Sequence, residues 1–185
     1  MPMIIFSGRF QPIHNGHIDL INKLVEKYPD NKIVLGVVKD VKKLNFSNDA
    51  FDVATNQNFL DGKNPFSGQE TLELISTALG ELKDRVIITM IPRPSIDTWV
   101  IIESFFDGDR VWVIPQIDGE FGMWEDEKAS FFESRGDKVS RIKIDKKINS
   151  TDVRRLMNEG KYDELSKLVP NNVAKKIKEL ILLKQ

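Results

Sequence analysis

Gly8-Arg9-Phe10-Gln11-Pro12-Ile13-His14-Asn15-Gly16-His17 follows the apolar run Met3-Ile4-Ile5-Phe6 and precedes Ile18, Leu20, Ile21, Leu24 and Val25. The apolar run reads as a strand, and the spacing after it reads as one face of a helix. An arginine, two glycines and two histidines therefore occupy a strand-to-helix turn. In an open α/β sheet, ligands bind at such turns, outside the carboxyl ends of the strands. The start of the helix offers unpaired N–H groups and a positive dipole end, and Arg9, His14 and His17 are expected to add positive potential. Phosphate is the ligand these residue types suit. The chain has two histidines in all and no cysteine. Two histidines without a nearby carboxylate supply too few donors for a closed zinc site, so no protein-held metal is expected.

The alternation continues outward from this turn. Strands are expected at Met3–Phe6, Lys32–Val38, Arg85–Ile91, Arg110–Ile114 and Val139–Ile144. Helices are expected at Gly16–Tyr28, Ser67–Leu82, Ile96–Phe106, Glu125–Ser134, Thr151–Glu159, Tyr162–Leu168 and Asn172–Leu183. This order implies an α/β fold, a mostly parallel five-stranded sheet with helices on both faces and a C-terminal helical extension. Residues 1–150 form the α/β core and 151–185 the helical part of the same domain. Two long connections interrupt the alternation, polar Lys39–Lys63 and the aromatic-bearing Pro115–Trp124. Connections of that length are commonly lids or mobile segments. The second could close over a base, or serve as an interface or packing insert.

Composition removes several classes. With 27 basic against 28 acidic residues, no global field favours DNA, RNA or a membrane surface, so any attraction for a polyphosphate must be local. The absence of cysteine excludes disulfide and thiol chemistry. No stretch approaches the ~20 apolar residues of a membrane span, and no signal peptide is legible, so a cytoplasmic location is expected.

A second anion-binding pattern lies at Ile148-Asn149-Ser150-Thr151-Asp152-Val153-Arg154-Arg155. Ser150 or Thr151 can cap a helix there, and Arg154, three residues past Thr151, can share its side of the turn. A hydroxyl, helix N–H groups and a guanidinium would form a second oxyanion cradle. The two patterns together resemble the nucleotidyltransferase superfamily, with its HxGH and S/T-x-x-R signatures. Arg9-Phe10-Gln11-Pro12, Asn64-Pro65-Phe66-Ser67, Ile96–Val100 with Trp99, and Leu168-Val169-Pro170 are similar to archaeal-type nicotinamide-nucleotide adenylyltransferases.

That resemblance implies a Rossmann-like, doubly wound sheet and transfer of AMP from ATP to nicotinamide mononucleotide (NMN), with Mg²⁺, often in a homo-oligomer. His14 and His17 would bind the ATP phosphates and stabilise charge on the α-phosphoryl group. Arg9 and Phe10 would line the turn, while Gly8 and Gly16 would let the backbone approach the nucleotide. Ser150, Thr151 and Arg154 would hold the phosphates that leave as pyrophosphate. Trp99 would stack on the nicotinamide ring, or else be a core residue, and Asn64 would contact substrate. Two departures stand out: Thr71 occupies a position where the family has arginine, and Ile114-Pro115-Gln116 replaces an asparagine-rich turn. These leave open another phosphorylated acceptor (FMN or phosphopantetheine), CTP as donor, or a non-catalytic nucleotide sensor on the same fold.

Overall fold

The computed structural model describes residues 1–39, 65–117, 120–144 and 148–184. Five strands, β1 (Met3–Gly8), β2 (Ile33–Lys39), β3 (Val86–Pro92), β4 (Arg110–Gln116) and β5 (Lys138–Lys143), pair in parallel in the order β3-β2-β1-β4-β5. Helices follow as α1 (Asn15–Lys27), α2 (Gly68–Leu79), α3 (Trp99–Phe105), α4 (Glu120–Ser134), α5 (Ser150–Asn158), α6 (Tyr162–Leu168) and α7 (Asn171–Leu182). The chain lays β2 and β3 on one side of β1 and later β4 and β5 on the other. The boundary between β1 and β4 is therefore the topological switch point, the place where such sheets open a crevice for ligand. The Gly8–His17 turn leaves the sheet there.

Side-chain alternation along β1 explains the two apolar layers. Ile4 and Phe6 face a core built from Leu20 and Leu24 of α1, Leu74 and Ile75 of α2, and Val153, Leu165 and Ile177 of the last three helices. Ile5 faces the opposite core, with Trp99 and Ile102 of α3, Trp112 of β4 and Phe132 of α4. Strands covered on both sides lose the polar half of the alternation, which is why β1 reads as an unbroken apolar run. In the second layer Trp112 stacks on Phe132 with ring centroids 4.0 Å apart. The Trp112 Nε1–H donates to Asp137 at 2.7 Å, and the same carboxylate receives the Arg110 Nε–H at 2.9 Å.

Three expected boundaries move, each for a local reason. The helix expected to reach Leu82 ends at Leu79, because Gly80 takes φ 51° and ψ −116° and the chain tightens into a 3-10 helix, Gly80–Arg85. The helix expected from Ile96 begins at Trp99, since the Ser95 N–H bonds the Thr98 hydroxyl at 3.1 Å and closes a turn first. The expected connection Pro115–Trp124 is shorter than the sequence suggests. β4 continues through Gln116, in register with Lys143, and α4 begins at Glu120, so Met123 and Trp124 lie exposed on a helix. Of the other connection, Lys39 ends β2 and residues 40–63 lie outside the described residues. Among the described residues no helix is long and apolar enough to cross a membrane.

The last three helices add their apolar faces to the core beneath β1. Ile177 is fully buried in it. Ile177→Ala is expected to cost about 3 kcal/mol, the scale of a large-to-small change in a packed core, within a single cooperative urea transition. Two separate transitions in wild-type protein would show instead that residues 151–185 fold as their own unit.

Candidate active site

The turn after β1 is held by packing and by one buried amide. Phe10 adopts φ 48°, a left-handed conformation that costs an L-residue about 1–2 kcal/mol. Burial of its ring offsets that cost: it meets Phe6 edge-on at 5.5 Å and lies 5.0 Å from His17. At Gly8 an added Cβ would stand 3.4 Å from the Phe10 ring, an ordinary contact, so internal packing alone does not demand glycine there. Gln11 is buried, and its amide is fully engaged. Its Nε2 donates to the Phe66 carbonyl at 3.0 Å and to Thr71 Oγ1 at 2.8 Å, while its Oε1 accepts the Phe66 N–H at 3.1 Å. The turn is thereby stitched to the start of α2.

His14 sits in extended conformation just before α1, and His17 lies in its first turn with Gly16 buried between them. The His14 N–H donates to His17 Nδ1 at 3.2 Å. With Nδ1 as acceptor, the neutral imidazole of His17 carries its proton on Nε2 and presents a donor there. The two rings stack with centroids 3.7 Å apart. His14 Nδ1 is buried with no hydrogen-bond partner among the described residues, a polar atom that a ligand could satisfy.

This geometry corrects the expectation that the histidines contribute charge. Burial pushes the His14 pKa down to about 4. Burial, reinforced by the neighbouring His14, holds His17 well below the usual imidazole range. Both rings are neutral at physiological pH, acting as hydrogen-bonding groups. Positive potential at the turn comes from Arg9, exposed and without an ion pair among the described residues, and from the N-terminal end of α1.

The second pattern is also corrected in one detail. Asn149, not Ser150 or Thr151, caps α5: its backbone is extended and its Oδ1 accepts the Thr151 N–H at 2.9 Å. Ser150 and Thr151 thus fall inside the first turn of the helix. Thr151 Oγ1 accepts from Arg154 Nη2 at 3.1 Å, the pairing that the three-residue spacing suggested. Arg154 Nη1 also donates to the main-chain carbonyl of Gln11 at 2.8 Å. Two stretches 143 residues apart are joined directly by that bond.

Trp99 is not brought to this cluster. Its indole lies in the layer on the other side of the sheet from Phe6, 4% exposed, edge-on to Phe131 and tilted against Trp112 and Phe132. Its Nε1–H donates to Glu103 at 2.9 Å. A ring enclosed in this way packs the core and has no open face for a substrate. Asn64 lies outside the described residues. Of the two departures, Thr71 is fully buried against Gln11, and Ile114 is buried in the second core. Gln11 and Asn149 carry structural roles that the sequence reading did not assign. A glutamine set among Phe10, Pro12 and Ile13 was the available signal.

The cytidylyltransferase-like family matches the chain over residues 5–156. The chain belongs to this family of nucleotidyltransferases. It is 29% identical over 178 residues to a nicotinamide-nucleotide adenylyltransferase of Thermococcus onnurineus, covering 95% of this chain and 82% of that protein. A protein of the same name from Pyrococcus furiosus is 29% identical over 180 residues with the same coverage. Among solved structures, a bifunctional NMN adenylyltransferase/ADP ribose pyrophosphatase of Francisella tularensis, complexed with AMP and a manganese ion, superposes with a TM-score of 0.61 at 18% identity. The match covers 96% of this chain and 49% of that one, so this chain spans about half its length. At that identity the likeness is one of fold.

Because both imidazoles stay neutral when folded, the unfolded chain takes up their protons at a higher pH than the folded one. Their contribution to stability is therefore intact above about pH 6.5 and falls as pH drops toward 4. The urea midpoint of wild type is expected to fall over that window by more than that of His14→Asn. Parallel pH profiles for the two proteins would contradict the neutral assignment.

Proposed function

We propose that the chain transfers AMP from ATP to nicotinamide mononucleotide, giving NAD and pyrophosphate. The observation that carries this reading is the 2.8 Å bond from Arg154 to the Gln11 carbonyl, which unites a donor-lined helix start near His17 with the Thr151–Arg154 turn. The names of the archaeal relatives support the same acceptor.

In this reaction an oxygen of the NMN phosphate attacks the α-phosphorus of ATP. The new P–O bond forms as the bond to the bridging oxygen of the β-phosphate breaks, and the leaving electron pair departs with pyrophosphate. A phosphate nucleophile is already ionised at neutral pH, so no general base is required, and neutral histidines are compatible with the chemistry. Their task is to donate hydrogen bonds to oxygens whose charge grows in the transition state, inside a partly dehydrated turn where such bonds are strongest. His17 Nε2–H is the donor best placed by its own tautomer. Thr151 and Arg154 would hold the departing pyrophosphate, with Arg9 covering the triphosphate from the exposed side. Gly8 leaves room for the nucleotide against the end of β1.

Among the described residues no group of three or more His, Cys, Asp or Glu could hold a metal ion. A divalent ion such as Mg²⁺ would enter on the triphosphate, with water as its other ligands. When bound, it would neutralise part of the triphosphate charge.

Purified protein given Mg-ATP and NMN is expected to release pyrophosphate and form NAD in equal amounts. His17→Ala should lower kcat by about 10²–10³-fold, the cost of losing one preorganised oxyanion donor. A loss under threefold in a folded variant would remove His17 from the mechanism. Pyrophosphate release with FMN, phosphopantetheine or nicotinic acid mononucleotide instead of NMN would keep the chemistry and overturn the acceptor.

A further inference from the structure

Lys39 is the last residue of β2 and belongs to neither phosphate-binding pattern. Gly8 is in register with Val37, so Lys39 stands two residues past the end of β1. At ~3.3 Å per residue that is about 7 Å beyond the end of β1, still in register with Pro92 of β3 and on the side where the Gly8–His17 turn leaves the sheet. Alternation gives Lys39 the same face as Leu35 and Val37, which join the core with Phe6 and Phe10. Its ammonium donates to Thr71 Oγ1 at 3.3 Å. Thr71 in turn receives the Gln11 amide at 2.8 Å and donates to the Ser67 carbonyl at 2.7 Å. A bonded path thus runs from Lys39 through Thr71 and Gln11 to Arg154.

The setting is unusual for a structural lysine. A partly buried ammonium is ordinarily paired with a carboxylate, because desolvation of an unpaired charge is costly. Among the described residues no carboxylate lies within ion-pair distance of Lys39. Glu70, the acid beside Thr71 on α2, has its Oε2 occupied by the Ser67 N–H at 2.7 Å and by Lys184 at 2.8 Å. Burial draws the Lys39 pKa down to about 8 against the opposing pull of Glu70, which leaves the group mainly protonated at neutral pH. A charge kept half-dehydrated by a neutral hydroxyl, at the ligand edge of the sheet, is poised for an anion.

We propose that Lys39 binds a phosphate group of the nucleotide substrates, supplying from the end of β2 the positive charge missing at Thr71. Thr71 is short and neutral where the resemblance leads one to expect arginine. Its hydroxyl instead receives the ammonium of the lysine that ends β2. The proposal rests on the adenylyltransfer reading for the identity of the phosphate compounds. The phosphate is either that of ATP or that of NMN, and the two are separable by experiment.

Calorimetric titration of Mg-ATP and of NMN, each alone, into wild type, Lys39→Met and Lys39→Arg decides the matter. Lys39→Met keeps the length of the stem and removes the charge. It is expected to weaken one of the two titrations by tenfold or more, while its thermal midpoint stays level or rises. Weakening of the Mg-ATP titration would assign the lysine to the triphosphate, and weakening of the NMN titration would assign it to the acceptor. Lys39→Arg should remain within threefold of wild type. Binding of both compounds by Lys39→Met within twofold of wild type would overturn the proposal, as would an equal loss in the arginine variant. A wild type that binds Mg-ATP and forms no NAD would overturn adenylyl transfer to NMN, and the Mg-ATP titrations would still decide whether Lys39 contacts phosphate.

Discussion

The hydrogen bond from Arg154 to the main-chain carbonyl of Gln11 is the constraint on which the rest of the site depends. It closes the crevice at the switch point by tying the first turn of the fold to the helix that follows the last strand. The Gln11 carbonyl and the Thr151 hydroxyl both accept from the guanidinium and fix the plane of its fork. The C-terminal helices gain a functional reason to pack where they do: Val153, Leu156 and Met157 bury one side of α5 in the same core as Phe10, and this fixes where Arg154 emerges.

Electrostatics in this crevice come from placement, since the chain as a whole is nearly neutral at −1. Two helix N-termini, Arg9, Lys39 and Arg154 share one edge of the sheet, and the histidine pair adds donors without charge. In the proposed reaction the site binds one polyanion and releases another, and neutral rings suit that task. Fixed cations raise affinity for ATP and pyrophosphate alike, whereas a neutral donor matched to the transition state favours the chemical step over binding. Burial enforces neutrality, because desolvation opposes protonating either ring, and repulsion across 3.7 Å would further oppose protonating both.

Much of this architecture is legible in the sequence. The central strands β1, β2 and β4 appear as apolar runs because they are covered on both faces, the edge strand β5 shows an alternation with one exposed face, and the helices appear because their apolar residues keep a helical spacing. The two phosphate patterns are legible because their chemistry is concentrated in short segments. What sequence could not supply is the partner of each residue. Asn149 caps in place of Ser150, a choice set by backbone conformation between residues of similar capping strength. Trp99 reads equally as a stacking ring or a core ring until the second layer shows Trp112, Phe131 and Phe132 around it. Histidines rich in functional promise prove uncharged because burial, which no motif records, decides their protonation.

Gln11 is the sharpest case, since its role depends on contacts far away in the chain. Its carbonyl receives Arg154, while its side chain grips the Phe66 main chain and Thr71, and Thr71 receives Lys39. One residue therefore sets the relative positions of two cations that come from different elements, α5 and β2. A glutamine suits this place because its amide donates and accepts at once and carries no charge. A glutamate could not donate to the Phe66 carbonyl and would bring a negative charge beside both cations. The left-handed turn at Phe10 follows from the same demand: it carries the chain from the end of β1 into a position where the Gln11 carbonyl faces α5 and its side chain faces α2.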